Sequence, residues 1–227
     1  VNTLLRRAEW TRILNENRLT DVLLNDVLGM VRTAREIAPE QYSVWHAWAL
    51  TNYYQLRLAD AKERAEENAE GETNPVTPTF FSDDLPSTQF QSSRNKKLTR
   101  FRKSFGSEQD LLSLEHTDNV TPFVVEAIRG FIKSISLGQN QPVANLLQDT
   151  LRLLTLWFTY GSKPRVYACL DAELDSISAE QWLSVIPQLI ARLHMKEISQ
   201  LLRKALKKVA VAHPQALVYP ISVAVHK

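Results

Sequence analysis

The chain has 227 residues, of which 44% are hydrophobic and 23% charged, and its net charge is +2. This length can bury a sizeable core as one or two domains, and the charge balance by itself neither favours nor excludes a nucleic-acid partner. The single cysteine, Cys169, excludes an intramolecular disulfide and a Cys-rich metal site and suits a reducing compartment, and no apolar run reaches the ~18 residues of a membrane-spanning helix.

The first 59 residues predict three amphipathic helices. Apolar residues at helical spacing predict the first helix within 1–17, with Trp10 packed against the helix that follows. Thr20-Asp21 has the form of an N-cap pair for a second helix over 22–37. Pro39 is expected to end that helix and to open the third.

The third helix carries aromatic residues along one stripe, with small residues among them. Large aromatics beside alanines let neighbouring helices approach closely, which is typical of tetratricopeptide-like repeats. We therefore assign the aromatic residues to packing between repeats rather than to a ligand-binding box. They are Tyr42, Trp45, Trp48 and Tyr53, with Ala47 and Ala49 beside them.

The character of the chain changes over residues 60–119. Residues 60–72 are strongly charged and are expected to extend the third helix into solvent, whereas 74–93 is rich in Pro, Ser, Thr and Gln. Such a composition buries too little apolar surface to offset the entropy lost on ordering. We therefore predict that 60–119 is a variable, partly disordered insertion between two helical units, 1–59 and 120–227.

The most apolar stretch lies at 123–160. It predicts two helices joined by a loop at 137–142, where Gly138 and Pro142 act as stop and start signals. The second helix of the pair is apolar on more than one face. Such a helix is buried between neighbours, so we expect helices on both sides of it.

Further helices are predicted after this pair. Residues 165–177 place Cys169 on an apolar helix face, and Ser178 opens a sequence with the form of a capping box. Pro187 is expected to kink the helix that follows or to shift its start, and another helix is predicted over 196–212. The last piece starts at His213-Pro214 and is expected to be interrupted at Pro220.

The whole pattern predicts an all-α fold. The sequence contains no alternating strand pattern with turn signals, and antiparallel helices of about 12–20 residues joined by loops of about 2–8 favour an α-solenoid of helical hairpins, like tetratricopeptide and HEAT repeats. The chain begins at Val1 within an amphipathic pattern and ends at Lys227 directly after an apolar stretch. We therefore expect it to be a segment of a longer protein.

We assign no residue of the chain to catalysis, cofactor binding or metal binding. The six glycines form no phosphate-binding loop, the five histidines lack partners at metal-ligand spacing, and the kinase motifs H-R-D and D-F-G do not occur. Cys169 is interpreted as a small buried hydrophobe rather than as a catalytic thiol.

Two basic segments leave alternatives open. The run 94–103 contains Phe101 and is interpreted as a solvated loop, with nucleic acid or an anionic lipid head group as the alternative ligand. The basic face of 203–208 is interpreted as solvent-facing. A polyanion pocket there, or near Arg32 and Arg35, is the less favoured alternative.

Several long sequence motifs point to one family. They are AIRGFIKSISL at 127–137, LQDTLRLLTLWFTYG at 147–161, WLSVIPQLIAR at 182–192, HPQALVYP at 213–220, WHAWA at 45–49 with Asn52, and Glu9-Trp10. In these motifs the chain resembles the FAT domain of TOR, the target-of-rapamycin Ser/Thr kinases of the phosphatidylinositol-3-kinase-related family. The resemblance covers 1–59 and 120–227, and 60–119 falls where TOR proteins carry a variable insertion.

The resemblance implies a C-shaped helical array that clamps the kinase domain. This chain would be its last part, just before the segment that the rapamycin–immunophilin complex binds, and the fragment itself would carry no catalytic residue. ATP, Mg²⁺ and the C-terminal FATC tail would belong to a parent region beyond Lys227. Inositol hexakisphosphate is a ligand of the family's FAT domain, but a lysine of that pocket is replaced here by Ser43, so we do not assign the site.

The resemblance also implies a role and partners. The role is that of a structural scaffold segment of a TOR Ser/Thr kinase in nutrient and growth signalling. The partners would be the parent's own kinase domain, a Raptor-like or Rictor-like subunit and a WD-repeat subunit, in a dimeric parent without nucleic acid or a transmembrane segment. The parent would be cytoplasmic, with peripheral association to lysosomal, vacuolar or other endomembranes.

Two other functions compete with the scaffold. One is a free-standing helical-repeat adaptor that binds a protein partner in a concave groove, and the other is a nucleic-acid-binding protein that uses 94–103.

Overall fold

The computed structural model describes residues 1–14, 20–69 and 120–225. Its α-helices are α1 (Asn2–Leu14), α2 (Asp21–Ile37), α3 (Tyr42–Ala69), α4 (Thr121–Leu137), α5 (Val143–Tyr160), α6 (Pro164–Glu173), α7 (Ala179–Trp182), α8 (Ile186–Ala191), α9 (Ser199–Ala212) and α10 (Gln215–Val225). Short 3₁₀ turns follow α6 and α7, at Leu174–Ser176 and Leu183–Val185. These ranges contain no strand, and the predicted all-α class is confirmed. In the same ranges, no helix combines the length and the apolar character needed to cross a bilayer.

The first three helices pack in succession around a small apolar core of their own. Thr20 caps α2 as predicted, since its side-chain oxygen accepts a hydrogen bond from the Leu23 N–H at 3.4 Å. The prediction for Trp10 is wrong: its side chain is 64% exposed. Trp10 is two positions from the buried Ala8, and two residues on a helix lie on nearly opposite faces. The buried members of this core are Ala8, Val27, Val31 and Trp48.

The contact between α3 and α4 is unusually close. A Cβ atom added to Gly130 of α4 would lie 2.8 Å from the Cβ of Ala49 and 3.0 Å from its backbone nitrogen. The two backbones can meet here because one helix has no side chain at the contact and the other has only a methyl group. Tyr53 then packs edge-on against Phe131, with ring centroids 6.3 Å apart. The assignment of the α3 alanines and aromatics to helix packing is confirmed.

The predicted apolar pair is present as α4 and α5, joined at 138–142. Gly138 follows α4 and donates its N–H to the Ile135 carbonyl, and Pro142 directly precedes α5. α5 has the expected neighbours on both sides, α4 on one and α6 and α7 on the other. The more enclosed helix is nevertheless α4, which packs against α3, α5 and α6, whereas Val143 and Leu151 of α5 remain exposed.

The main core lies between these helices and the C-terminal ones. It extends from α3 to α10 without a break. Its largest fully buried side chains include Trp157, Trp182, Phe131, Ile128, Ile132, Leu153 and Leu170.

Prolines and short turns divide the C-terminal part. α7 and α8 replace the single helix predicted after Ser178, and Pro187, which lacks an N–H, lies in the first turn of α8. Of the two effects predicted for this proline, the shifted helix start is the one observed, since α8 begins at Ile186. The capping box is not formed: Ser178 occupies the N-cap of α7 without a side-chain cap bond, and its hydrogen bond instead lowers the pKa of Glu180.

The predicted interruption at Pro220 is wrong. α10 continues through this residue, which lies inside the helix. Proline lacks the N–H that would bond to the carbonyl of Ala216, four residues earlier, and its ring crowds that carbonyl. Because α10 is largely exposed, that carbonyl can turn towards water.

The boundary predicted at residue 60 falls within α3. The helix continues to Ala69, as expected for its charged extension. Asp60, however, is only 8% exposed and accepts a 2.9 Å hydrogen bond from the Tyr160 hydroxyl. The helical unit therefore includes Asp60. The rest of the predicted insertion, 70–119, lies outside the described residues, and so does the basic run 94–103.

Candidate functional site

Polar groups from α3 and α4 converge on the buried Asp149, in the middle of α5. The Asp149 side chain is 0% exposed. Its Oδ2 atom accepts hydrogen bonds from the Tyr42 hydroxyl at 3.2 Å, from Nδ1 of His46 at 2.8 Å and from the Ser134 hydroxyl at 3.1 Å. Its Oδ1 atom faces Nη1 of Arg152 at 3.7 Å. The cluster joins α3, α4 and α5.

Neighbouring side chains, rather than solvent, stabilise the charge of the Asp149 carboxylate. Tyr42 and His46 are one helical turn apart and their rings stack, with centroids 5.4 Å apart. Burial and the Asp149 carboxylate raise the pKa of Tyr42, so its hydroxyl stays protonated and can donate. Asp149 Oδ1 and Arg152 Nη1 are both buried and form no hydrogen bond within the described residues, although they lie within ion-pair distance of each other.

The meeting of Ser134, His46 and Asp149 is not a catalytic triad. In a triad the imidazole lies between the carboxylate and the nucleophile and takes its proton. Here the serine and the histidine both donate to the same carboxylate oxygen, and the Ser134 hydroxyl also contacts the Phe131 carbonyl. Ser134 is 0% exposed, so a substrate cannot reach it. The cluster is built to hold three helices together.

A second polar bridge crosses four helices on the surface. Glu126 of α4 accepts a hydrogen bond from Nε1 of Trp48 at 3.2 Å and lies 3.7 Å from Arg35 of α2. Arg129 pairs with Glu126 and with Glu173 of α6, at 2.7 Å in each case. The hydrogen bond to Glu173 raises the pKa of Arg129. Arg35 is further held over the Trp48 ring, 4.1 Å from its centroid.

Cys169 lies beside this bridge and fits the interpretation as a buried hydrophobe. Its side chain is 7% exposed. Burial, followed by the nearby Glu173 carboxylate, raises the pKa of the thiol to about 11. A reactive cysteine needs a lowered pKa and access to solvent, and Cys169 has neither.

The basic face of α9 is only partly solvated. Lys204 pairs with Asp171 at 3.2 Å and with Asp175 at 2.9 Å, which raises its pKa. Lys208 donates to the backbone carbonyls of Asp175 and Ile177. Arg203 and Lys207 are exposed, and within the described residues they form no ion pair.

The other positions weighed for an anion site lie near the end of α2 and at the start of α3. Arg32 is exposed on α2, whereas Arg35 is already held by Glu126 and Trp48. Ser43 accepts a 2.8 Å hydrogen bond from the Gln41 side chain. In the ranges that the structure describes, no group of three His, Cys, Asp or Glu side chains is placed to hold a metal ion.

Large apolar side chains remain exposed on helices at both ends of the described array. On α1 they are Trp10 and Leu14, which line a groove with Arg6 and Arg7. On α10 they include Val218 and Tyr219, at 67% and 76% exposure.

The sequence contained a signal for the Asp149 cluster that our interpretation did not use. Asp149 is three residues after Leu146 and four before Leu153, both buried, so it lies on the apolar stripe of α5. A carboxylate at such a position requires donors from other helices. The identity of those donors, Tyr42, His46 and Ser134, depends on tertiary packing.

Comparison with known proteins matches this sequence to one family. The model of the FAT domain family matches residues 2–155. The chain is similar to the Ser/Thr kinase mTor of Drosophila melanogaster, with 33% identity over 222 residues, and to the kinase TOR2 of Saccharomyces cerevisiae, with 30% identity over 226 residues. Each alignment covers 97% of this chain and 8% of the relative.

A third relative gives the same result. The kinase tor1 of Schizosaccharomyces pombe is 40% identical over 218 residues, which are 95% of this chain and 7% of the relative. The chain therefore spans less than a tenth of the length of these kinases. The similarity to them extends past residue 155, over most of α6 to α10.

Proposed function

The chain belongs to the FAT domain family, and from this premise we propose that it is a helical scaffold segment of a TOR-type Ser/Thr protein kinase. The observation that carries the proposal is the similarity to TOR kinases over nearly the whole chain. In this role the segment clamps the kinase domain and supports assembly of the parent complex.

The packing supports a role that requires a stiff helical array. A clamp must resist bending, and stiffness in a helical array comes from closely packed neighbours. The direct contact of Gly130 with Ala49 locks α3 onto α4. The Asp149 cluster then ties both helices to α5, and the Glu126 bridge extends the connection from α2 to α6.

The parent's chemistry forms part of the same proposal. Phosphoryl transfer, with ATP and Mg²⁺, takes place in a kinase domain outside this segment and signals nutrient and growth state. The partners are that kinase domain, a Raptor-like or Rictor-like subunit and a WD-repeat subunit in a dimeric, cytoplasmic parent that associates peripherally with endomembranes. Inositol hexakisphosphate is proposed as a ligand of the complete FAT domain, without an assigned site here.

The test uses the full-length product of the gene that encodes this chain. We expect the purified product to phosphorylate Ser/Thr peptides and to copurify with its complex subunits. Trp157→Ala, which opens a cavity in the core, should lower the yield of the assembled complex, whereas Val143→Ala, at a position 79% exposed on the same helix, should not. A full-length product without kinase activity would overturn the proposal.

A free-standing adaptor is the second candidate, favoured by the exposed apolar side chains of α1 and α10. The two candidates differ in the continuation of the gene. A kinase domain encoded downstream of Lys227 supports the scaffold, and a stop codon close to Lys227 supports the adaptor.

A further inference from the structure

The face of α3 that packs against α2 has a polar centre. The residues of this face recur every three or four positions, so they lie on one side of the helix. They are Val44, Trp48, Thr51, Gln55 and Leu58, all of them buried. Trp48 shares an apolar core with Val27 and Val31 of α2, which places this face against α2. Thr51 and Gln55, in the middle of the face, are only 4% and 5% exposed.

The buried polar side chains at this contact bond mainly within α3. The Thr51 hydroxyl donates to the carbonyl of Ala47 at 2.8 Å. The side-chain amide of Asn52, which is buried beside it, donates to the carbonyl of Trp48 at 2.9 Å. Both acceptors belong to α3 itself. The two hydrogen bonds are therefore kept when α2 changes its position along α3.

Polar contacts from α2 to α3 and α4 lie where solvent reaches them. In the ranges that the structure describes, they join Gln55 to Asn25, Lys62 to Asp21 and Arg35 to Glu126. Asn25 is exposed, and the Arg35 and Glu126 side chains, 3.7 Å apart, are 27% and 31% exposed. Water and salt screen pairs of this kind, so they hold α2 in place only weakly.

The contact on the other face of α3, with α4, is anchored by buried groups. A Cβ atom added to Gly130 would lie 2.8 Å from the Cβ of Ala49, so the two backbones already meet. Asp149 of α5, 0% exposed, accepts hydrogen bonds from Tyr42 of α3 and from Ser134 of α4. A shift of α3 along α4 would break these buried bonds, which water cannot replace.

We propose that the α2–α3 contact is the shear point of the described array. α2 slides along α3 by about 1–2 Å, whereas α3, α4 and α5 move as one body. Apolar side chains permit such sliding because the hydrophobic effect has no preferred direction. In the proposed scaffold, the shear lets the helices before α3 shift relative to those after it. That consequence rests on the proposed function, but the shear itself does not.

The test measures distances by double electron–electron resonance in the full-length product of the gene. Nitroxide labels are introduced as unnatural amino acids at Arg32 of α2, Arg57 of α3 and Lys133 of α4, all of them exposed. The pair 32–57 reports on the α2–α3 contact and the pair 57–133 on the α3–α4 contact. We expect the distance distribution of the pair 32–57 to be broader by about 1–2 Å.

Variants then relate the width of each distribution to its anchors. Asp149→Asn removes the charge that holds α3 and α4 and should broaden the distribution of the pair 57–133 by about 1–2 Å. Arg35→Gln removes both the ion pair with Glu126 and the contact with the Trp48 ring, and should broaden only the distribution of the pair 32–57. The comparison of the two pairs and the Arg35 variant decide the proposal even if Asp149→Asn fails to fold.

The matched controls are Thr51→Val and Thr150→Val. Each removes a buried hydroxyl that donates to a carbonyl of its own helix, on α3 and on α5 respectively. Neither hydroxyl joins two helices, so both variants should leave the two distributions unchanged. Circular dichroism verifies that each variant is folded.

Three results would overturn the proposal. The first is an equal width of the two distributions in the unaltered protein. The second is that Arg35→Gln broadens the distribution of the pair 57–133 instead of the pair 32–57. The third is that Thr51→Val broadens the distribution of the pair 32–57, which would make Thr51 an anchor across the contact. The distances are measured whether or not the product has kinase activity, so failure of the scaffold proposal is distinguishable from failure of this one.

Discussion

Replacement of Trp157 tests the core most directly. Its side chain is 0% exposed and packs edge-on against Trp182, with ring centroids 6.2 Å apart. Trp157→Ala leaves a large cavity between α5 and the C-terminal helices, and we expect it to lower the free energy of unfolding by about 3–5 kcal/mol. For a domain of this size that loss corresponds to about 6–20 °C in the melting temperature. Urea and thermal unfolding, followed by far-ultraviolet circular dichroism, measure both quantities.

Trp157→Phe separates the packing of the ring from its polar group. The indole N–H of Trp157 is buried and has no hydrogen-bond partner within the described residues. Its removal relieves a penalty of about 1–3 kcal/mol, which offsets part of the volume lost with the smaller ring. We therefore expect Trp157→Phe to be less destabilising than Trp157→Ala by about 2 kcal/mol or more.

Two results would refute this reasoning. If Trp157→Ala leaves the unfolding midpoint unchanged, Trp157 does not lie in the cooperative core. If Trp157→Phe is as damaging as Trp157→Ala, the buried N–H has a partner, or the cavity adapts to neither side chain. Val143→Ala is the matched control, because it also truncates a side chain of α5 but at a position 79% exposed.

Three further predictions concern other parts of the core. Gly130→Ala should lower the free energy of unfolding by about 1–3 kcal/mol, because the new methyl group would lie 2.8 Å from the Cβ of Ala49. Gly29→Ala is the control in the same urea assay, because Gly29 has open space around it. Asp149→Ala should lower the free energy of unfolding by about 3–5 kcal/mol, because it leaves the surrounding donors without their acceptor. An unchanged urea midpoint would contradict the role of the Asp149 cluster in holding three helices together. Cys169 should resist iodoacetamide at pH 8 unless urea is present. Folding raises the pKa of the Cys169 thiol to about 11. The contribution of this thiol to the free energy of unfolding is therefore complete below its ordinary pKa of 9.0 and declines as the pH rises towards 11. Fast alkylation of the folded protein would contradict this prediction.

Several local signals in the sequence predicted helix boundaries correctly, although the capping box at Ser178 did not form. The cap at Thr20, the loop predicted at 137–142 and the shifted helix start at Pro187 depend on residues close in the chain, and the structure has all three, with the loop at 138–142. The prediction at Pro220 was wrong because the free-energy cost of a proline inside a helix depends on whether the freed carbonyl can reach water. That property depends on the exposure of α10, which the local sequence does not contain.

Long-range pairings were beyond sequence reasoning for a physical reason. Trp10 was expected to pack against the helix that follows, but its position two residues from Ala8 turns it away from the core. The donors of Asp149 come from positions up to 107 residues distant in the chain, and nothing in their local spacing identifies them. Apolar periodicity defines which face of a helix is buried and leaves open what that face meets.

The polar clusters explain how an array of similar apolar faces keeps one register. A helix that slides by one turn, about 5.4 Å, along its neighbour still buries much of its apolar stripe, so the hydrophobic effect discriminates weakly between registers. The Asp149 cluster discriminates strongly between these registers. Tyr42, His46 and Ser134 reach one carboxylate oxygen only in the observed register, and a one-turn slip would leave a buried carboxylate without its donors. The apolar core therefore supplies most of the stability, and the buried carboxylate selects the arrangement in which the helices pack.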